Sequence, residues 1–417
     1  MGELGDMSKG ELGNMSRSGK SWKSFHLEPA VWEGEIPYGD ARFVSRHYEH
    51  QVPNMIASLA IPPVSENTAA LVEAALVDLQ SAKKTGSRYG GIMEGILLRT
   101  EAINSSRIEG YRTSIRNLAL AAAGVRTKKQ GAAITAKNFL ALTKALRNYQ
   151  RDKITWDTIR DIHADIMEDE TFAGQQRTQV VWIGGETPMD AASVPPPAGA
   201  VSSLISDFER FLERDDIDVV TKISIAHVQF ECIHPFADGN GRTGRSITQL
   251  LLTQSGFPPL PVSAALFAVR KTYYRIFGHY ADGEIEHTVC LHALAIRAAC
   301  SAAQTALLER EMLVEDWLHQ IGGRKHTYAA KALAWMSDNP AFTISELRQG
   351  IAASNATVAR LMKVLSESEI IELGGKKSTA IGRGEEIWEV PEIYELAQKV
   401  ENDTATTMQS SLGGIEA

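Results

Sequence analysis

Cysteine is scarce in this chain: three residues, Cys232, Cys290 and Cys300, among 417. An odd, low number argues against a disulfide-held scaffold and fits a reducing compartment. No apolar run approaches the length that crosses a bilayer. The amino terminus has no apolar signal region, so a soluble, cytoplasmic protein without a membrane partner is expected. Positive charge is in deficit, with 43 Lys and Arg against 51 Asp and Glu and a net charge of −8. A polybasic nucleic-acid binder is disfavoured on bulk electrostatics, although a local patch stays open. What is plentiful is apolar material, at 44% of residues against 23% charged. That is enough for a sizeable core and excludes global disorder. The length suggests two or three domains.

Residues 1–21 form the first segment and contain a near-duplicate, GELGDMSK followed by GELGNMSR. Glycine, serine and charge with few bulky apolar residues do not offset the entropy of ordering, so a disordered tail is expected. Residues 22–63 mix aromatics, Pro and Gly irregularly. Apolar positions at helical spacing then appear at Leu71, Val72, Ala75, Leu76 and Leu79 and again around Ile96, Ile103 and Ile108. Gly86, Gly90 and Gly91 break the first stretch and Gly110 stops the second. Ala136–Leu146 reads as a helix, and Thr155 as the N-cap of another through Trp156, Ile159, Ile162 and Ile166. Thr178–Gly185, TQVVWIGG, is a short β-branched run ending in Gly-Gly and predicts a hairpin or flap. Helical periodicity returns from Val219 and should end near His234, because Pro235 disfavours α conformation before it. Helices are expected from about Gly241 to Thr253 and over 285–320.

A boundary is expected at Ile321–Arg324. Beyond it, Thr343 caps a short helix, a turn leads to a helix with Val358, Leu361 and Leu365, and two strands follow around Ile371 and Trp388. Two helices and a β-ribbon in that order predict a winged helix over 322–400. Residues 401–417 read as a disordered tail. Residues 324–400 carry ten Lys and Arg and ten Asp and Glu. A net charge of zero is a poor footprint for DNA, whose binding rests on phosphate neutralisation. The cations there include Arg360, Lys363, Lys376, Lys377 and Arg383.

The chemically densest segment is His234-Pro-Phe-Ala-Asp-Gly-Asn-Gly-Arg-Thr-Gly-Arg245. Gly239, Gly241 and Gly244 match GxGxxG, and Gly239–Ser246 approaches a P-loop with Arg245 in place of its lysine. Both templates need a strand upstream, where the sequence shows a helical period. The residues make sense without either. Closely spaced glycines let backbone N–H groups converge on an anion at a helix start. Arg242 and Arg245 share a helix face and can fork onto phosphate oxygens. Asp238 is a hard oxygen donor suited to Mg²⁺, Asn240 can donate to a phosphate, and His234 can take a proton near neutral pH. His227 and His163 read as packed helix histidines and Cys232 as a buried small residue.

This segment matches, position by position, the HPF-x-D/E-GNGR-x-x-R signature of the Fic family, which the chain resembles over roughly residues 22–320. The resemblance implies a mainly α, Fic-type helical bundle with a short β-hairpin flap and nucleotidyl transfer, usually of AMP from ATP to a protein hydroxyl. His234 would be the general base and Asp238 the Mg²⁺ ligand. Gly239, Asn240, Gly241, Arg242 and Arg245 would hold the phosphates, and Tyr274, of the Tyr273-Tyr274 pair, would line the base pocket. Ala173–Gly185 resembles the family's target-docking flap, with Trp182 and Ile183 at its edge. Ser105…Glu109-Gly110 matches a second element, S/T-x-x-x-E-G/N, of the family's second class. There the glutamate pairs with the signature's second arginine, here Glu109 with Arg245. An arginine tied to a carboxylate cannot also hold a γ-phosphate, so Glu109 would be inhibitory. It could also orient a water to remove AMP, as in some relatives. The expected layout is 22–110 with the inhibitory helix, then 111–321 as the catalytic domain. Expected partners are ATP and a target protein on the flap, with a homodimeric second copy and DNA left open. The rival reading is a winged-helix DNA-binding regulator whose helical body senses a nucleotide.

Overall fold

A computed structural model describes residue 22 and residues 25–34, 46–88, 94–324, 327–377 and 384–416. The tail expected over 1–21 and the wing residue Arg383 lie outside the described residues. Helices predominate among the described residues, as the mainly α expectation requires.

Strands β1 (His26–Val31) and β2 (His47–Val52) pair antiparallel, with His26 opposite Val52. This corrects the irregular reading of 22–63. Tyr48, His50 and Val52 are buried in alternation, but the polar identity of His50 hides the period of two in the sequence. The buried His50 ring has a partner, with its Nδ1 2.6 Å from the Pro195 carbonyl.

Helix α1 (Glu66–Arg88) runs through Gly86 rather than breaking there. It is followed by α2 (Glu94–Ile108), α3 (Ile115–Ala122), α4 (Gln130–Tyr149) and α5 (Trp156–Ile166). Thr155 caps α5 in a reciprocal capping box with Thr158, which satisfies backbone donors that the first helical turn leaves free. After the flap come α6 (Ala198–Leu212), α7 (Val219–Ile233) and α8 (Asn240–Gln254). Then α9 (Val262–Ala268), α10 (Arg270–Ala281) and α11 (Glu286–Gln320) complete the body. Helix α7 is apolar nearly all round, with Val220, Ile223, Ile225, Val228 and Phe230 fully buried. It is therefore a central helix, and it packs against α8 and α11. Among the described residues α11 is long and apolar enough to cross a membrane, contrary to the sequence reading, yet 72% of its most apolar stretch is buried inside the protein.

The remaining elements are α12 (Tyr328–Asp338), β3 (Ala341–Thr343), α13 (Ile344–Gly350), α14 (Asn355–Glu367), β4 (Glu372–Lys377), β5 (Glu385–Glu389) and α15 (Pro391–Glu416). The three strands form an antiparallel sheet in the order β3-β5-β4. Thr343 caps α13 in a capping box with Glu346. Helix α15 overturns the expected tail over 401–417. Val400, Thr404 and Met408, four apart on one face, are buried, and the helix packs on α11, α9 and α2. A short apolar stripe diluted by Thr, Ser and Gln hides an amphipathic helix.

These last elements grip α2 and α3. The Arg99 guanidinium donates to the Asp338 carbonyl at the end of α12 (3.0 Å). Arg107 pairs with Glu401 of α15. Arg116 pairs with the buried Glu389 of β5 through two nitrogens. A backbone bridge joins Val125, just after α3, to Lys377 of β4.

Candidate active site

Helix α7 ends where the sequence demands. His234 follows it in a left-handed conformation (φ 49°, ψ 60°), and its N–H still donates to the Phe230 carbonyl. Such a backbone is strained for a residue with a Cβ and persists only when its surroundings hold it. Three anchors do so. Phe236 is fully buried, its ring stacked 3.7 Å from His163 and 5.3 Å from Trp156. Asn240 closes the loop, accepting from the Phe236 N–H (2.9 Å) and donating to the Phe236 carbonyl (3.0 Å). Its side chain thus ties the loop together ahead of α8. Gly239 has φ +79°, and a Cβ there would lie 3.0 Å from Met167 Sδ.

His234 is half-buried, with Nδ1 3.2 Å from the Glu231 carbonyl. That contact makes Nδ1 the N–H donor and leaves Nε2 as the lone-pair nitrogen. Burial pushes the His234 pKa down to about 4, with the nearby Arg177 guanidinium adding to the fall, so the ring is neutral at pH 7.

Helix α8 opens at Asn240, and its first turn faces Glu109. A Cβ on Gly241 would sit 2.1 Å from Glu109 Oε1. The carboxylate therefore lies directly over the helix start, where the dipole and free N–H groups favour an anion. Gly110 carries the chain out of α2 with φ +87°. Arg245, almost fully buried, donates to Glu109 Oε1 through Nη2 (2.6 Å) and to the Ser105 carbonyl (2.9 Å). Its Nε donates to Ser105 Oγ (3.0 Å). Burial opposes the charge on Arg245, but the Glu109 carboxylate outweighs it and holds the guanidinium above its usual range.

Arg242 has different neighbours, although it shares a helix with Arg245. It is buried, with Nη2 3.2 Å from Met167 Sδ and its guanidinium over the Tyr111 ring at 5.5 Å. Its Nη2 is 4.0 Å from Asp238 Oδ1. Asp238 is 60% exposed at the loop edge, and its Oδ1 accepts the Gly239 N–H. That leaves a solvent-facing carboxylate oxygen, the donor type that Mg²⁺ takes alongside phosphates. Tyr274 donates to the Ile108 carbonyl (3.0 Å), placing it beside the end of α2. Trp182 meets Trp32 edge-on at 5.5 Å. Ile183 is exposed and bridges to Ser193, and Gly184 and Gly185 turn with φ of 70° and 72°. The flap is thus a single bridge and a turn, not a ladder. It is backed by β2, whose Gln51 N–H donates to the Val194 carbonyl.

Four residues matter here that the sequence reading missed or undervalued. Arg177 is buried and donates to the His234 carbonyl (2.7 Å) and the Pro196 carbonyl (2.6 Å), tying flap to loop. His163 accepts the Gly174 N–H at Nδ1 and donates from Nε2 to the Asp238 carbonyl; burial lowers its pKa to about 4, which fixes that neutral form. Tyr273 accepts from Arg245 (3.4 Å) and donates to His227 (2.8 Å). Glu231 has a buried Oε1 without a protein hydrogen-bond partner, and burial pushes its pKa up to about 8. For His163 and Glu231 only helical periodicity marks the position, and periodicity reports burial rather than role.

The Fic/DOC family model matches residues 153–252, from just before α5 to the end of α8. Over 141 residues the chain is 31% identical to the protein adenylyltransferase Fic of Drosophila erecta, covering 33% of this chain and 26% of that protein. Over 137 residues it is 33% identical to the protein adenylyltransferase fic-1 of Caenorhabditis elegans, covering 32% and 25%. The chain thus spans about a quarter of the length of these relatives. The crystal structure of a Fic family protein from Desulfovibrio desulfuricans G20 aligns with a TM-score of 0.50 and 21% identity, over 79% of this chain and 97% of that one. That likeness speaks to the fold. The stretch that the Fic/DOC family model matches, residues 153–252, thus holds the signature loop between α7 and α8, and over that stretch the chain resembles the Fic/DOC family.

Proposed function

We propose that this chain is a protein adenylyltransferase that moves AMP from ATP to a Ser, Thr or Tyr hydroxyl of a target protein and is restrained by Glu109. The observation that carries the reading is the juxtaposition of a neutral His234, with Nε2 free to accept, and the glycine-rich start of α8. The names of the relatives, matched over a third of the chain, support the same chemistry. In the proposed step the target O–H bond breaks and its proton passes to His234 Nε2. The oxygen bonds to the α-phosphorus, the bond from that phosphorus to the β-phosphate oxygen breaks, and pyrophosphate leaves. Backbone N–H groups of Gly239–Gly241 and the two arginines stabilise the charge that develops on the phosphates. Asp238 would hold Mg²⁺, which neutralises phosphate charge when bound. Arg177 and Asn240 keep the loop fixed so that little reorganisation is needed. Glu109 occupies the helix start and the guanidinium that a γ-phosphate would use.

The DNA-binding reading has less support. Lys377, one of the cations expected to face DNA, has its backbone bridged to Val125 and its aliphatic stem against Gly124. The test is transfer of label from ATP carrying it at the α-phosphate to protein. Labelling by the wild-type or Glu109→Gly chain that vanishes in the His234→Ala variant is expected. Full labelling in that variant removes His234 as the base. No labelling under any condition, with tight sequence-specific DNA binding, favours the rival.

A further inference from the structure

The corner between α10 and α11 brings together three side chains with metal-ligating atoms. His279 lies in the last turn of α10, Glu284 in the connecting turn and His287 in the first turn of α11. Glu284 Oε2 is 3.0 Å from His279 Nδ1 and 3.7 Å from His287 Nδ1. The three donor atoms all lie within 4.8 Å of one another. The two imidazoles stack with centroids 3.8 Å apart and planes 11° apart.

The corner is a built one. Gly283 turns with φ +83°, and the Glu284 N–H donates back to the His279 carbonyl (2.9 Å). The Phe25 N–H donates to the Ala281 carbonyl at the end of α10 (3.1 Å), and the Trp22 carbonyl lies against Gly283. The plainest account is a hydrogen bond between Glu284 and His279 Nδ1. It leaves one atom unexplained: His287 Nδ1 is buried and has no hydrogen-bond partner. Unpartnered buried nitrogens are rare in native proteins and point to a water or an ion.

We propose that His279, Glu284 and His287 form a binding site for one divalent transition-metal ion of the zinc class, with water at the remaining position. Two imidazole nitrogens and a carboxylate oxygen suit zinc, cobalt or nickel rather than magnesium or calcium. Ligand bonds of about 2.0–2.2 Å place tetrahedral donors roughly 3.3–3.6 Å apart, which the two measured edges bracket. Binding requires the stacked rings to splay so that both in-plane lone pairs converge. All three side chains keep some exposure, 28% for His279, 45% for Glu284 and 17% for His287, so an ion has a route in. The ion would pin the far end of α10, the helix that carries Tyr273 and Tyr274 to the Glu109–Arg245 contact. Its role would be structural, and the proposal stands apart from the adenylyltransferase reading.

The test uses the full chain, stripped with a chelator and titrated with Co²⁺ or Zn²⁺ alone. One Co²⁺ per chain with the strong visible absorption of a tetrahedral site is expected. His279→Ala and His287→Ala should each weaken binding by roughly 100-fold or more, since each removes a direct ligand. Glu284→Gln, close in shape and part-exposed, should weaken binding likewise and serves as the test should a histidine variant fail to fold. Zn²⁺ should raise the melting temperature of the wild type and not of these variants. Absence of stoichiometric binding, or affinity unchanged in Glu284→Gln and in the His279→Ala, His287→Ala double variant, overturns the site.

Discussion

At the residue scale, the twelve-residue signature is legible because its chemistry is written in adjacent positions. A histidine after a helix, a hard oxygen donor, glycines and two arginines need no tertiary knowledge to be read as an anion site. The supports are not legible, because they come from elsewhere in the chain. Arg177 reaches the His234 carbonyl across 57 positions, and His163 reaches the Asp238 carbonyl across 75. The Asn240 amide also closes the loop on Phe236, a contact that the sequence does not announce. The state of His234 gives a pH prediction. Its pKa is lowered to about 4, so the basic form persists as pH falls through the usual imidazole range. The acid limb of kcat/KM should therefore lie well below about 6.5, the value of a free imidazole. A limb at that ordinary value, absent from the residual activity of His234→Ala, would show that His234 is not held neutral by its burial.

At the scale of elements, helix existence and most ends are foreseeable from caps and breakers. Thr155, Thr343 and Pro235 each act as expected. Strand pairing is not, because β2 buries His50 where an apolar residue would have revealed the alternation. The grip on α2 is also invisible, since it rests on Arg107 meeting Glu401 across 294 positions. That pair is partly buried, at 18% and 13% exposure, and it sits two residues before Glu109. Arg107→Ala should loosen the end of α2 and raise the transfer rate several-fold, by less than loss of Glu109 itself. Initial rates at saturating ATP check this, and an unchanged rate would show that α2 is held in place without Arg107.

At the scale of the whole molecule, the elements beyond Gln320 are not a separate appendage. The sequence suggests a boundary at Ile321–Arg324 and a loose tail after residue 400, because local pattern reports where helices stop and not where later ones return. Helix α15 runs back along α11, α9 and α2, and Met408 is fully buried there. Met408→Ala should cost about 2–5 kcal/mol as a large-to-small core change. Denaturant unfolding measures it, and a loss under about 0.5 kcal/mol, the range of surface substitutions, would mean that α15 does not dock. This return path places the α12–α15 region in contact with the helix that carries Glu109. The central claim is that Glu109 and the γ-phosphate compete for Arg245 and the start of α8. A charged hydrogen bond of this kind contributes about 1.5–3 kcal/mol, discounted for a carboxylate that keeps solvent contact. The most direct measurement is the rate of AMP incorporation into protein by the wild type, Glu109→Gly and Glu109→Gly, His234→Ala across an ATP titration. Competition predicts a rise of roughly 5- to 30-fold in the single variant, as about 1–2 kcal/mol allows, and its abolition in the double variant. Equal rates for the wild type and Glu109→Gly at every ATP concentration would contradict it.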